Sequence, residues 1–343
     1  MRARVRLTGA DVNGSRRALV EIRDLHVQYP GGRDGPARAV DGVNLDVFEG
    51  ETLALVGESG CGKTTLARSI MGLNRPTSGE IRFRGEPLSY SRDGMREHRR
   101  RAQMIFQDPT GALNARQTLY EAVAEGLRVQ RVQGNEEALV AEALSRAGLR
   151  PPESFFTRYP YEISGGQRQR VIIAGAMVLN PSMLVADEPV SALDASVRGE
   201  ILSLMLGLVR QAGVTVFVVT HDLGLAWNVA DRVAVMYLGR IVEDAPAEQL
   251  LTDPRHPYTR ALLSVVPETK HMEPQVLHGE TPDPTRIPAG CRFHPRCPVV
   301  ESGEAARLGI EERCRGEDPR FLPACHAVRL ASGDEHEAYL HER

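Results

Sequence analysis

The sequence has few aromatic residues and no long hydrophobic run. Phe, Trp and Tyr make up 5% of its 343 residues, and there is one tryptophan. The longest nearly continuous apolar stretch, residues 171–179, is about half the length that a helix needs to cross a bilayer. No apolar core follows the arginines of residues 1–6, so we expect no secretory signal. We therefore expect a protein made and kept in the cytosol, which reaches a membrane only through a partner.

The chain also lacks a large surplus of either charge. It carries 42 basic and 45 acidic side chains, a formal net charge of −3. This balance gives no electrostatic case for a nucleic-acid partner or a charged membrane surface, and we expect no nucleic acid to bind. Hydrophobic content of 42% and charged content of 25% are ordinary for a globular protein. The length allows one large α/β domain and a smaller addition.

Cysteines are few, but their placement is uneven. There are five, and four of them fall within 35 residues of one another, at Cys291, Cys297, Cys314 and Cys325. A cytosolic location argues against disulfides. The C-x₅-C spacing of the first two is longer than the C-x₂-C pair usual in zinc sites. Four thiolates suit either a [4Fe–4S] cluster or a structural Zn²⁺, and both alternatives stay open at this point.

The clearest motif is a glycine loop between a predicted strand and a predicted helix. It matches G-x-x-x-x-G-K-[ST], follows the apolar run of residues 52–56 and precedes a helical pattern over residues 66–71. Glycines let successive N–H groups point at one anion, Lys63 can reach the β- and γ-phosphates, and the Thr64 hydroxyl can bind Mg²⁺. We therefore predict a site for a nucleoside triphosphate. Its residues are Gly57, Glu58, Ser59, Gly60, Cys61, Gly62, Lys63, Thr64 and Thr65.

Two further motifs suit phosphate chemistry. Asp187 and Glu188 follow a short buried strand, where a parallel sheet delivers side chains to its carboxyl edge. We expect Asp187 to hold Mg²⁺ through its water shell and Glu188 to polarise the attacking water. Farther upstream, the sequence Ser-Gly-Gly-Gln opens a helix, which gives a second anion site, or alternatively a plain N-cap made by the serine. These residues are Ser164, Gly165, Gly166 and Gln167.

The predicted elements alternate between strands and helices. Apolar residues alternate in residues 19–29 and 42–48, which predicts half-buried antiparallel strands. The later pattern predicts a mostly parallel sheet covered by helices on both faces. We predict core strands at residues 52–56, 183–186 and 214–219, another strand at 80–84, and helices within 118–150, 164–180 and 193–211.

In this order, the motifs resemble the nucleotide-binding subunits of ATP-binding cassette (ABC) transporters over residues 19–270. Ile163-Ser164-Gly165-Gly166-Gln167 is similar to the family signature. The resemblance implies that Gln107 senses Mg²⁺ and contacts a permease, and that His221 touches the γ-phosphate. It also implies that Asp194 belongs to the loop that meets a facing subunit and that Tyr29 stacks on adenine. The expected fold is a P-loop NTPase cassette with a mostly parallel core sheet, an antiparallel β subdomain and a helical subdomain.

The resemblance also implies an assembly. In the family, the signature completes the site of a facing subunit, so two ATP molecules lie in a head-to-tail dimer. Stretches at residues 106–114, 189–194 and 256–263 are similar to ATPases that import oligopeptides and dipeptides. The implied partners are two permease subunits, a second ATP-binding subunit (a heterodimer rather than a homodimer) and, indirectly, an extracytoplasmic solute-binding protein. The implied location is the cytoplasmic face of the membrane.

Alternatives concern the solute and the machine. Related importers carry nickel or glutathione, so the same machine with one of these solutes is the alternative to a peptide importer. A soluble ABC ATPase acting on DNA or ribosomes needs two cassettes or a long coiled-coil insertion, and residues 107–164 show no sustained heptad.

We predict three regions: a mobile tail at 1–18, the cassette at 19–250, and a small importer-type extension at 251–343 with the four-cysteine segment at 291–325. Similar extensions in the importer group resemble cluster-binding ones, which favours [4Fe–4S] over Zn²⁺.

Overall fold

The computed structural model describes residues 16–31, 35–106, 109–190, 195–266, 274–275, 277–319 and 323–328. The strands are β1 (Ala18–Tyr29), β2 (Ala37–Phe48), β3 (Thr52–Val56), β4 (Ser78–Phe83), β5 (Glu86–Pro87), β6 (Ala102–Ile105), β7 (Met183–Asp187), β8 (Thr215–Thr220), β9 (Arg232–Tyr237) and β10 (Arg240–Pro246). The helices of the first half are α1 (Lys63–Ile70), α2 (Arg92–Arg101), α3 (Pro109–Ala112), α4 (Leu119–Gln130), α5 (Glu136–Arg146), α6 (Glu153–Phe156) and α7 (Gly165–Met177). Those that follow are α8 (Ala195–Ala212), α9 (Leu223–Val229), α10 (Ala247–Thr252), α11 (Pro257–Ser264), α12 (Pro298–Glu301), α13 (Glu304–Arg307) and α14 (Glu311–Gly316).

Two sheets form the framework. The first has the order β2-β1-β4-β5, and its pairs are antiparallel. The second has the order β10-β9-β3-β8-β7-β6, and it is parallel except for the pair of β9 with β10. The predicted α/β class, with its antiparallel β subdomain and mostly parallel core sheet, is therefore confirmed.

The central strands are buried because their sequences are apolar on both sides. Every residue of β3, β7 and β8 is buried, as expected for parallel strands covered by helices on both faces. Their register pairs Val56 with Thr220 and Asp187 with Val219. The carboxyl ends of these three strands therefore meet at one edge, and the polar residues that follow them are brought together.

A separate helical cluster is built on α4, α5 and α7. Its buried side chains include Leu127, Leu144, Ile163 and Val171. The predicted helical region at 118–150 is thus two helices, and the one predicted from Ser164 begins at Gly165. Among the described residues, no helix has both the length and the apolar character needed to cross a membrane.

The region after residue 250 packs onto the cassette. Tyr258 and Phe293 are almost fully buried in one hydrophobic cluster with Val56 of β3 and Tyr237 of β9. Two strands of this cluster, β9 and β10, were not predicted from the sequence. The predicted boundary between the cassette and the extension stays a prediction, although the two regions share this core.

Candidate functional site

The predicted phosphate loop connects β3 to α1. Helix α1 begins at Lys63 rather than at residue 66, so the lysine belongs to its first turn. Gly57, Gly60 and Gly62 all have positive φ angles, of 153°, 78° and 110°, which L side chains rarely adopt. The buried Lys63 ammonium lies within the loop and donates to the carbonyl oxygens of Gly57 and Glu58, both at 2.8 Å.

The loop and the acidic pair meet through a hydroxyl and a carboxylate. Thr64 Oγ1 donates to Asp187 Oδ1 at 3.2 Å. Burial raises the pKa of the Asp187 carboxyl, the Thr64 hydrogen bond opposes that effect, and the neighbouring Glu188 charge adds to it. These two oxygen ligands, predicted from residues 123 positions apart, therefore lie side by side. A hard cation such as Mg²⁺ prefers this kind of donor.

Glu188 lies at the same edge in a backbone conformation that is rare for a non-glycine residue, with φ of 46°. Its N–H donates to the Val219 carbonyl at 2.9 Å, which ties the turn to β8. Its Oε1 lies 3.0 Å from His221 Nδ1. The structure therefore brings together the predicted water-polarising carboxylate and the predicted histidine.

The predicted signature lies at the start of α7. Ser164 Oγ accepts from the Gln167 N–H at 3.2 Å, and Gln167 Oε1 accepts from the Ser164 N–H at 3.0 Å. The N-cap alternative is thus realised as a capping box. The cap uses the N–H of Gln167 and not those of Gly165 and Gly166, so the cap and an anion site are compatible. Ile163 anchors the signature in the helical cluster, apart from the cluster that holds the phosphate loop.

One positioning contact was not predicted. Gln169 of α7 is almost fully buried, and its Nε2 donates to the Pro189 carbonyl at 2.8 Å. This bond links the signature helix to the residue that follows Glu188. Gln169 lies two positions after the signature motif, but no sequence pattern indicates which residue its side chain contacts.

Of the remaining predicted site residues, Tyr29 ends β1 with 41% of its surface exposed, and its hydroxyl accepts from Asn74 Nδ2 at 2.9 Å. Its side chain is therefore partly accessible to solvent, and its stacking role stays a prediction. Ser59 is exposed at the tip of the phosphate loop, and the Thr65 carbonyl accepts from Ser69. Gln107 and Asp194 lie outside the described residues, and their predicted roles stay predictions.

The four C-terminal cysteines converge on one pocket. All are buried, and they line it together with side chains that include His256, His294 and His326. Burial raises the pKa of the Cys291 thiol to about 12 and that of Cys297 to about 11, with smaller contributions from the other thiols. Within the described ranges, no group of three or more His, Cys, Asp or Glu is arranged to hold a metal ion. Cysteine sulfur and histidine nitrogen are nevertheless atoms that bind zinc, and cysteine sulfur holds iron–sulfur clusters. Metal binding at this pocket stays a prediction.

Comparisons with known proteins extend these observations. A family model described as ABC transporter matches residues 40–191, and one described as Oligopeptide/dipeptide transporter, C-terminal region, matches residues 242–303. The chain is 42% identical to the putative oligopeptide transport ATP-binding protein YkfD of Bacillus subtilis, over 92% of this chain and 98% of the relative.

A second relative and a solved structure agree with this. The chain is 43% identical to the di/tripeptide transport ATP-binding protein DppF of Pseudomonas aeruginosa, over 90% of this chain and 97% of the relative. The solved structure is the dimeric cassette MJ0796, in a post-hydrolysis state bound to ADP and Pi. It is 30% identical with a TM-score of 0.60, over 66% of this chain and 98% of that one.

Proposed function

Because this chain belongs to the ATP-binding proteins of ABC transporters for oligopeptides and dipeptides, we propose that it hydrolyses ATP to drive peptide import through a membrane permease. The observation that carries this proposal is similarity along nearly the whole chain, including the importer-type C-terminal region at residues 242–303. The complete phosphate loop and the paired acids supply the residues that hydrolysis needs.

We assign the steps to the residues at the edge of the parallel sheet. The loop N–H groups and Lys63 bind the phosphates, while Thr64 and Asp187 would hold Mg²⁺. When bound, that ion neutralises charge between the β- and γ-phosphates. Glu188 orients and polarises the attacking water, and His221 holds the Glu188 carboxylate at 3.0 Å and faces the γ-phosphate. Tyr29 stacks on adenine, and Gln107 senses the metal site.

We further propose that two such cassettes face each other head to tail. Ile163, which precedes Ser164–Gly166, and Cys61 of the phosphate loop belong to different hydrophobic clusters of the chain, which suits a signature that serves a neighbouring subunit. The similar cassette MJ0796 forms a dimer. In this assembly Asp194 lies at the subunit boundary. The neighbour is a different ATP-binding chain, and the pair rests on two permease subunits at the cytoplasmic face, supplied by a solute-binding protein.

Reconstitution tests the proposal. We expect the purified chain to hydrolyse ATP slowly, and we expect the rate to rise when it is assembled in vesicles with its permease, its partner cassette and a peptide-loaded binding protein. The reason is that hydrolysis requires the closed dimer, whose formation the permease controls. The measurement is phosphate release, with and without a di- to pentapeptide mixture.

Nickel and glutathione, offered separately in the same vesicles, are the controls for the solute. Stimulation by either of them, without stimulation by peptides, would contradict the peptide assignment and leave the ATPase in place. Full activity of the isolated chain would contradict the link to transport.

We also propose that Cys291, Cys297, Cys314 and Cys325 hold a [4Fe–4S] cluster, with Zn²⁺ as the alternative. The support is that three separate segments bring four buried thiols to one pocket. Anaerobic purification is expected to give a brown protein with about four irons per chain, the content of one such cluster. Cys297→Ser should remove the iron, whereas Cys61→Ser, which changes the fifth cysteine, should retain it.

A content of one zinc per chain would show that the cysteines hold a structural Zn²⁺ and not a cluster. Neither metal above background in the wild-type protein would contradict the proposal. Because the readout is metal content, it does not depend on ATP hydrolysis.

A further inference from the structure

The segment between the first two C-terminal cysteines contacts the phosphate loop. Arg296 donates two hydrogen bonds to the Glu58 carboxylate, from Nη1 at 2.7 Å and from Nη2 at 3.0 Å. The Arg296 side chain is only 6% exposed, and that of Glu58 is 25% exposed. Thr281 Oγ1 lies 3.3 Å from the same carboxylate and donates to it. A planar, two-pronged pair of this kind fixes orientation as well as charge.

The backbone of Glu58 is also held, on one atom by the extension and on another by the loop. Its N–H donates to the hydroxyl of Tyr258 at 2.9 Å, and its carbonyl accepts from Lys63 Nζ at 2.8 Å. The Tyr258 ring is fully buried, with its centroid 4.7 Å from that of Tyr237 and 5.3 Å from that of Phe293. The hydroxyl is therefore fixed by aromatic packing, and the N–H, carbonyl and carboxylate of one loop residue all have defined partners.

A second contact reaches the middle of the loop. Arg292 forms a buried ion pair with Asp41, and its Nη1 donates to the Leu238 carbonyl at 2.6 Å. The next residue, Gly239, donates its N–H to the Cys61 carbonyl at 2.8 Å. The residues between Cys291 and Cys297 thus support the loop directly at its start and through one peptide unit at its centre.

We propose that Arg296 and Tyr258 are positioning residues that hold the phosphate loop in its ATP-binding shape through Glu58, so that the C-terminal extension sets the affinity for ATP. The inference rests on the proposed role of the loop. Glu58 places a negative charge in a loop that binds a triphosphate, and Arg296 neutralises it. Without Arg296, the charge of the Glu58 carboxylate is no longer neutralised beside the phosphates, and the loop loses one of its anchors.

The test is the dissociation constant for a fluorescent ATP analogue, measured with Mg²⁺ on the purified full-length chain. We expect Arg296→Ala to weaken binding about tenfold, within the range usual for coupling between two sites. Arg296→Lys should recover part of this loss, because it restores the charge without the two-pronged geometry. Adding Glu58→Ala to Arg296→Ala should also recover affinity, because it removes the unpaired charge. If Arg296 only stabilised the fold, the losses of ATP affinity caused by Arg296→Ala and Glu58→Ala would instead add in the double variant.

Two further variants provide a control and a second test. Glu317→Gln breaks the exposed 3.1 Å ion pair with Arg313, which lies within the extension and involves none of the residues that support the loop, and it should leave ATP affinity unchanged. Tyr258→Phe removes one hydroxyl from an otherwise intact core and should also weaken ATP binding. It therefore tests the inference even if Arg296→Ala does not fold. Wild-type affinity in both Tyr258→Phe and a folded Arg296→Ala overturns the inference.

Lys63→Ala separates the two proposals. If it abolishes binding while the extension variants do not change it, the inference fails and the ATP site stands. If Lys63→Ala itself binds ATP normally, the assignment of the loop fails.

Discussion

Glu188→Gln should lower the rate of ATP hydrolysis by about 10²–10⁴-fold, the usual contribution of a general base. The substitution keeps the side-chain length, so the residue still fits beside His221, but it removes the carboxylate that polarises water. ATP binding should be unchanged, because Lys63 and Thr64 lie on a different element. The measurement is phosphate release under saturating ATP, together with the affinity for the ATP analogue.

A matched control exists one residue beyond His221. Asp222 is also acidic and close to the site, but its carboxylate caps α9 by accepting from the Leu225 N–H at 2.9 Å. Asp222→Asn keeps an oxygen that can cap the helix, so hydrolysis should change little. We also expect Glu188→Gln to form a stable dimer with its partner cassette in the presence of ATP, because the nucleotide is not consumed. Hydrolysis at the wild-type rate in Glu188→Gln would contradict the assignment.

Local sequence patterns predicted much of the fold. Continuous apolar runs identified β3, β7 and β8, and alternation identified β1 and β2. The run from Val233 to Tyr237 is as continuously apolar as β3, so β9 could have been found. In contrast, β6 is four residues long and includes Gln103, which gives too little periodicity to separate it from a turn. The order of strands, with β3 between β9 and β8, depends on contacts that no local pattern contains.

The candidate site divides in the same way. Lys63, Asp187 and Glu188 were predicted because each belongs to a short motif next to a buried strand. The geometry of that strand and its turn fixes where the side chain lies. Arg296 was not, since 238 positions separate it from Glu58 and an arginine between two cysteines has many possible partners. The sequence suggested a metal site for that segment, and its contact with the phosphate loop became visible only in the folded chain.

Gly62→Ala should abolish ATP binding and also destabilise the protein. Gly62 has φ of 110°, and a Cβ at this position would lie 2.0 Å from the Ala39 carbonyl oxygen and 2.9 Å from Met236 Cε. The methionine end can move, but the Ala39 carbonyl is part of the backbone of β2, which shifts less readily than the end of a side chain. The loop must therefore shift away, and its N–H groups no longer converge on the phosphates. The strained conformation alone costs about 1–3 kcal/mol.

Gly50→Ala is the control that separates strain from collision. Gly50 has a similar positive φ, of 76°, but no heavy atom lies within 4 Å of the position that a Cβ would take. It should lose about 1–2 kcal/mol of stability, the cost of the left-handed conformation, and bind ATP normally. Both variants are compared by urea denaturation and by affinity for the ATP analogue. If Gly62→Ala bound ATP as tightly as Gly50→Ala, contact between the loop and β2 would not determine the shape of the phosphate site.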